Sequence, residues 1–294
     1  MASEILFITT TDAAGGRSGD LERLLSSIEG AMAGRSWRML LLAQRADPGT
    51  DLAAGIPDNV QIETLPHRIS LSRARNLLLQ RAREQGLFAE APLVAFPDDD
   101  CWYPDGSLER ILNLFKIDHA LDFWFCGYAS APQSPMRALS MDMTPPSVFQ
   151  VAAKASSNTI FLRSRIVENI GGFDEELGVG TENNGGEDTD YALRAFAQSR
   201  KCRFVDQVLI GHRDHDPRLR SHYFRGSLIA IARHTAMRPT SLALLLRKLM
   251  VGSTLVATRR MSSQDFRAAL RVAFSAKTGW AFASSQRRSS GGAA

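Results

Sequence analysis

Leu93-Val94-Ala95-Phe96-Pro97-Asp98-Asp99-Asp100-Cys101-Trp102-Tyr103-Pro104-Asp105-Gly106 is an apolar run that ends in three consecutive carboxylates and closes in a proline and a turn glycine. Three like charges side by side repel, so a fold keeps them together chiefly when something positive sits among them. A divalent cation carrying a diphosphate meets that need, and a solvated acidic turn after a strand is the plain alternative. The remainder of the chain decides between them.

Upstream of the triplet, short apolar runs alternate with helical spacing. Glu4–Thr9 reads as a strand that stops at Thr10-Thr11-Asp12, and Leu21, Leu24, Leu25 and Ile28 mark a helix with Asp20 placed to cap it. Gly15-Gly16-Arg17-Ser18-Gly19 between them fits neither GxxxxGK[ST] nor GxGxxG and reads as a flexible loop. Trp37–Ala43 and Val60–Leu65 are two further strands, and Ser70–Arg83 is a helix. The order predicts an α/β sheet with the triplet at a strand's carboxyl end, where open α/β sheets bind ligands. Arg73 and Arg75 in the first turns of the Ser70 helix oppose its macrodipole; an anion to meet and a solvated helix face both account for them.

Downstream, Leu108, Ile111, Leu112 and Phe115 predict an amphipathic helix, and Leu121–Tyr128 an aromatic strand. Ala131–Ser147, with four prolines, reads as a loop that covers substrate, and Trp102, Trp124 and Tyr128 divide between buried packing and a stacking surface for a sugar or base. Gly171-Gly172-Phe173-Asp174-Glu175 and Gly185-Gly186-Glu187-Asp188-Thr189-Asp190 form a second constellation in which Glu187 and Asp188 open a helix. Acidic residues there are ordinary dipole-favoured caps, and one that faces a cleft is also placed as a general base. Arg203–Ile210 predicts a last strand, ending at Gly211-His212-Arg213-Asp214-His215, whose two histidines offer metal ligands beside the triplet.

Composition narrows the class. The chain has 294 residues, 44% of them apolar, which suffices for a large α/β domain with a real core. Three cysteines without paired spacing signal neither a disulfide framework nor a CxxC metal site, and a reducing compartment is expected. The N-terminus lacks a basic segment followed by a long apolar run, and Leu242–Ala257 is broken by Arg247 and Lys248, so neither secretion nor a membrane span is predicted. Residues 1–212 carry 20 Lys+Arg against 28 Asp+Glu, whereas residues 213–294 carry 15 against 3. A basic third on an acidic body is an interaction surface for nucleic acid, an anionic membrane face or a phosphorylated acceptor; no nucleic-acid recognition motif accompanies it. Arg220–His234, Leu242–Val256 and the Phe266, Leu270, Phe274 series read as amphipathic helices.

Taken in order, these segments resemble the family 2 glycosyltransferases of GT-A fold over about residues 4–235. The motifs are the strand to Thr9-Thr10-Thr11, the Ser72-Arg73-Ala74-Arg75-Asn76 helix start, Asp98–Asp100 followed by Pro104, the Gly171–Glu175 turn, and Gly186-Glu187-Asp188-Thr189-Asp190. Each is weak singly; their order makes the likeness specific. The His212 segment with Tyr223-Phe224-Arg225-Gly226 and Arg233-His234 is similar to the bacterial cell-surface polysaccharide branch.

The resemblance implies a nucleotide-diphospho-sugar transferase fold, a mixed central sheet flanked by helices. It assigns a catalytic domain to 1–235; beyond it, where the likeness fades, the residue pattern predicts an amphipathic helical extension over 236–283 and a disordered tail over 284–294. The resemblance implies Asp98 and Arg75 at the nucleotide, Thr9, Thr11 and Gln44 lining the base pocket, and Asp188 as the catalytic base, with Glu187 beside it in the catalytic site. Mn²⁺ or Mg²⁺ would be held by Asp99 or Asp100, with His212 as a further contact; alignment on Pro104 favours Asp99 and the D-x-D spacing Asp100. Family members usually carry an acidic residue where this chain has Gln44, so the identity of the base does not carry over. The implied activity is metal-dependent, inverting transfer from a nucleotide-diphosphate sugar to a glycan or polyprenyl-linked acceptor in surface polysaccharide synthesis. The expected location is the cytoplasm, at the inner membrane face. The rival reading is a catalytically silent nucleotide- or carbohydrate-binding module of the same fold.

Overall fold

The computed structural model describes residues 3–47, 49–52, 55–132, 143–214, 216, 219–237 and 241–275. In chain order the elements are β1 (Ile5–Asp12), α1 (Ser18–Ala31), β2 (Trp37–Gln44), β3 (Val60–Leu65), α2 (Leu71–Glu84), α3 (Leu87–Glu90), β4 (Leu93–Ala95), α4 (Ser107–Ile117) and β5 (Phe123–Ala129). They continue with α5 (Val148–Lys154), β6 (Ile160–Arg163), α6 (Ser164–Ile170), α7 (Glu187–Gln198), β7 (Cys202–Gly211), α8 (Leu219–His222), α9 (Phe224–Met237), α10 (Leu242–Ala257) and α11 (Ser263–Ala273).

The strands form one seven-stranded sheet in the order β3-β2-β1-β4-β6-β5-β7. β6 runs antiparallel to both β4 and β5; the other pairings are parallel. The carboxyl ends of β1, β2, β4 and β7 therefore share one edge of the sheet, and the amino end of β6 joins them there.

Alternation along β1 explains its unbroken apolar run. Leu6 and Ile8 enter the apolar layer shared with Ala74, Leu78 and Leu79 of α2, while Ile5 and Phe7 enter the opposite layer with Leu21, Leu24 and Ile28 of α1 and Leu108 and Ile111 of α4. A strand covered on both faces has no polar side to present. Full burial of such a side chain stabilises by about 1.5–3 kcal/mol each, which holds the sheet edge rigid under the residues it carries.

Two local expectations are corrected. α1 begins at Ser18, because Gly16 takes a left-handed turn (φ 69°), so Arg17 occupies the cap position and Asp20 lies in the first turn, paired with Arg23. Gly15–Gly19 is thus structured chain: a short 3-10 turn running into a helix. β6, α5 and α6 are too short to show a period in the sequence.

The C-terminal helices pack onto the body. α9 continues past residue 235 to Met237, and Leu244, Leu245 and Leu255 of α10 and Ala269 and Ala273 of α11 share the apolar layer that contains Leu6 and Phe96. Residues 276–294, and 133–142 of the proline-rich loop, lie outside the described residues, as does His215.

Candidate active site

Each carboxylate of the triplet is met by a different cation. Asp98 Oδ1 accepts from Arg75 Nη2 at 2.9 Å. Asp99 accepts from Thr11 Oγ1 and from Arg17 Nη1, both at 2.7 Å. Asp100 faces His212 Nε2 at 3.1 Å and Arg213 Nη1 at 3.5 Å. These partners come from α2, the end of β1, the turn into α1 and the end of β7, so the sheet edge assembles what the sequence scatters.

Arg75 is the hub. Its guanidinium is buried, reaches Asp188 Oδ1 at 3.2 Å and Ser157 Oγ at 2.7 Å besides Asp98, and lies 5.0 Å over the Phe173 ring. Ser70 caps α2 by accepting from Arg73 N, so the helix starts where it must for Arg75 to point inward while Arg73 stays solvated. Burial disfavours the charged guanidinium, but Asp188, Asp98 and Glu187 outweigh it and hold the proton more firmly than usual. Burial pushes the Asp98 and Asp99 carboxyls up, partly offset by Arg75 for the first and by Thr11 and Arg17 for the second.

Asp188 lies in the first turn of α7. Its Oδ2 accepts from Ser156 Oγ at 2.9 Å, Ser157 N at 3.0 Å and Ser157 Oγ at 3.2 Å, in the turn that leads into β6. Glu187 beside it is buried and has its carboxyl pushed up to about 7, by burial first and by the Asp188 charge second. α7 starts at Gly186 with φ 89°, and Gly186 has no room for a side chain: a Cβ there would stand 2.3 Å from the Gly226 carbonyl carbon of α9.

The His212 position is set by Trp102 and Gly211, which exchange backbone hydrogen bonds of 3.0 and 2.9 Å and join the segment after the triplet to the end of β7. His212 Nδ1 lies 2.9 Å from the Arg213 carbonyl and donates to it, which leaves Nε2 turned to Asp100. Burial alone lowers the imidazole pKa; the Asp100 and Asp98 carboxylates outweigh it and raise it. Asp100 is held low by His212, Arg213 and Arg17 against the effect of burial.

Asp100 Oδ1 and His212 Nε2 are both buried and neither has an aligned hydrogen-bond partner. A carboxylate oxygen and a ring nitrogen facing each other at 3.1 Å without an aligned hydrogen bond fit a shared cation. One ligand atom from each of Asp98, Asp100, Cys101 and His212 comes within 4.8 Å of the others, and Asp99 is not in that group. Burial pushes the Cys101 thiol well up, so it stays protonated, and the set available to a hard cation is Asp98, Asp100 and His212.

The base-side residues are less open. Thr11 is engaged by Asp99, Gln44 Oε1 accepts from Ile69 N at 2.8 Å, and Thr9 is buried with its hydroxyl unpartnered. Of the aromatics, Trp124 is fully buried in the sheet, Tyr128 meets the His212 ring edge-on at 4.9 Å, and Trp102 lies 4.4 Å beneath the Arg23 guanidinium. Arg17, Ser156 and Ser157 are contacts that sequence reasoning missed: a loop arginine and two serines before an unrecognised strand carry no periodic signal.

The mixed seven-stranded sheet flanked by helices is a GT-A fold. Solved structures agree on the fold: S. aureus TarS 1–349 in complex with UDP-GlcNAc superimposes with a TM-score of 0.62 at 14% identity, over 92% of this chain and 80% of that one. The UDP complex of the same fragment gives 0.61 at 16% identity, over 91% and 81%. Against the longer TarS chain the score is 0.55 at 14% identity, and this chain covers 43% of its length. Residues 46–159, a little over a third of the chain, match the family model described as glycosyl transferase family 2. The matched segment contains Arg75 and Asp98–Asp100 and ends before Glu187, Asp188 and His212. No curated protein sequence matches at a significant level.

Proposed function

We propose that the protein is a metal-dependent, inverting glycosyltransferase that moves a sugar from a nucleotide-diphosphate donor to a hydroxyl of a glycan or polyprenyl-linked acceptor, in bacterial surface polysaccharide synthesis. The observation that carries the reading is the unpartnered pair Asp100 Oδ1 and His212 Nε2, buried 3.1 Å apart beside Arg75 and Asp188. It separates this reading from that of a silent binding module, which has no need to keep two buried ligand atoms facing each other unpaired.

We assign the cation, Mn²⁺ or Mg²⁺, to Asp100 and His212 with Asp98 adjacent; Asp99, already held by Thr11 and Arg17, orients the turn. Such an ion neutralises charge on the departing diphosphate. The ends of β1 and β2, with Thr9, Thr11 and Gln44, are assigned to the base, and Asp98 and Arg75 to the remainder of the nucleotide. UDP and UDP-GlcNAc, bound by the TarS fragment, are the first donors to test.

Asp188 is assigned the base that takes the acceptor hydroxyl proton as the oxygen attacks the anomeric carbon opposite the leaving group. Its Oδ2 is filled by Ser156 and Ser157, so Oδ1, shared with Arg75 at 3.2 Å, is the oxygen left to act. Glu187, buried and carrying its proton more readily, is assigned the support of Asp188.

The test is titration of UDP and UDP-sugars with and without Mn²⁺, followed by turnover on candidate acceptors. Asp100→Asn is expected to weaken metal-dependent nucleotide binding at least tenfold. Asp188→Asn is expected to leave binding in place and lower turnover by about 10²–10⁴. Absence of metal-dependent nucleotide diphosphate binding in the wild type overturns the proposal.

A further inference from the structure

From Pro217 to Gln264 the sequence holds nine Lys and Arg and no Asp or Glu. On α10, Leu242, Leu246 and Met250 recur every fourth residue and are 51%, 53% and 64% exposed, a continuous apolar stripe turned to solvent. Beside it opens a groove of about 370 Å³ whose lining includes Arg220, Arg247, Arg260, Met250, Val251 and Leu255 and contains no carboxylate. Among the described residues none of these three arginines has an ion-pair partner, although paired arginines are common elsewhere in the molecule. Asp265, in the adjoining hollow, is turned onto its own helix cap, where it accepts from Ser262 Oγ at 2.6 Å.

We propose that the outer face of α10 and the Arg220–Arg247–Arg260 groove form a surface that lies on an anionic lipid bilayer, with the stripe at the acyl boundary and the guanidinium groups on lipid phosphates. The inference uses no residue of the active site, so its failure leaves the glycosyltransferase reading intact.

The chemistry selects this occupant over others. A second copy of the chain would bring one acid-free, cationic face against another, whereas an anionic bilayer offers complementary charge. A soluble polyanion would satisfy the arginines and leave Leu242, Leu246 and Met250 in water; a bilayer covers both kinds of group, and the arginine stems add apolar contact. Lys248, half-buried with its amine over the Phe224 ring and donating to Ser227 Oγ at 2.6 Å, has its pKa pushed down to about 8 by desolvation and by the neighbouring Arg220 and Arg247. The positive potential there is thus unrelieved by the protein itself. None of the described helices is long and apolar enough to cross a membrane, which fits a helix that rests in the interface.

The test is flotation of the full chain with vesicles of phosphatidylcholine alone or with about one third phosphatidylglycerol. Binding is expected to the anionic vesicles only and to weaken with salt. Each arginine neutralised near such a surface should weaken partitioning about fivefold, so Arg247→Gln with Arg260→Gln should lower it about 30-fold. Leu246→Gln with Met250→Gln should lower it about tenfold or more, with unchanged thermal stability because both sites are exposed. Equal flotation with neutral and anionic vesicles, or none, overturns the proposal. So does a stripe variant that floats like the wild type, which marks a polyanion surface, or one that turns a lipid-free dimer into a monomer, which marks a second copy.

Discussion

Replacement of Arg75 by alanine should expose how the site is held together. The side chain is buried and is the group that reaches both Asp98 (2.9 Å) and Asp188 (3.2 Å), with Ser157 Oγ (2.7 Å) as a third partner. Removing one member of a buried pair leaves an uncompensated charge and costs about 3–5 kcal/mol; here two carboxylates are abandoned, so about 4 kcal/mol is a fair central value. At about 2–4 °C per kcal/mol for large domains, the Tm should fall by about 8–16 °C. The cost is electrostatic, and a double-mutant cycle isolates it. In the wild-type background Asp188→Asn sets an amide against the Arg75 donors or the Ser157 amide and is destabilising by about 1–2 kcal/mol. In the Arg75→Ala background it removes an unpaired charge instead, so it should be neutral or stabilising, giving a coupling of about 2 kcal/mol. Chemical denaturation of the four proteins measures this. Additive costs, or a loss below about 1 kcal/mol for Arg75→Ala, would refute the view that Arg75 neutralises the site.

Glu187 gives a pH prediction. Its folded pKa, pushed up to about 7, lies above the ordinary value of 4.5, so the folded state holds a proton that the unfolded chain gives up sooner. Stability from this group is thus highest at low pH and declines between about 4.5 and 7; Glu187→Gln should flatten that decline by on the order of 2–3 kcal/mol, read as Tm against pH. Gly226→Ala is expected to cost at least about 3 kcal/mol and to lower turnover, because its Cβ would stand 1.9 Å from the Gly185 oxygen and displace the turn that starts α7. His212→Ala should abolish the thermal stabilisation given by Mn²⁺, about 2.7 kcal/mol at 100 times the Kd, while the metal-free Tm changes far less.

What was legible in the sequence follows from what leaves a local pattern. Strands buried on both faces read as unbroken apolar runs, and α4 declares itself through Leu108, Ile111, Leu112 and Phe115, all buried on one stripe. β6 is four residues long and leads directly into α6, so neither a period nor a turn residue marks it. The candidate carboxylates were visible because consecutive charges are costly, but their division of labour was not. Asp99 and Asp100 are indistinguishable by composition; they differ because Thr11 and Arg17 reach one and His212 the other, contacts of 82 or more residues in sequence. Arg17 was overlooked for the same reason, since its meaning depends on a partner in a different strand's loop.

The triplet was first a puzzle of repulsion, and its surroundings answer it with local counter-charges. Arg75 meets Asp98, Arg17 meets Asp99, and Arg213 with His212 meets Asp100, so the turn does not depend on an ion to exist. The partners differ in kind, however. Asp98 and Asp99 accept well-formed hydrogen bonds from guanidinium groups, which hold them as they are. Asp100 Oδ1 instead faces His212 Nε2 at 3.1 Å with no aligned hydrogen bond, a contact that gains when a cation enters. A pre-neutralised turn with one unfilled oxygen suits a cation that must bind and leave with each nucleotide diphosphate, because a cage of three free carboxylates would retain it. On this argument Asp99→Asn and Asp100→Asn should part company. The first should loosen the turn and cost stability with or without metal, and the second should erase the metal's stabilising effect and little else.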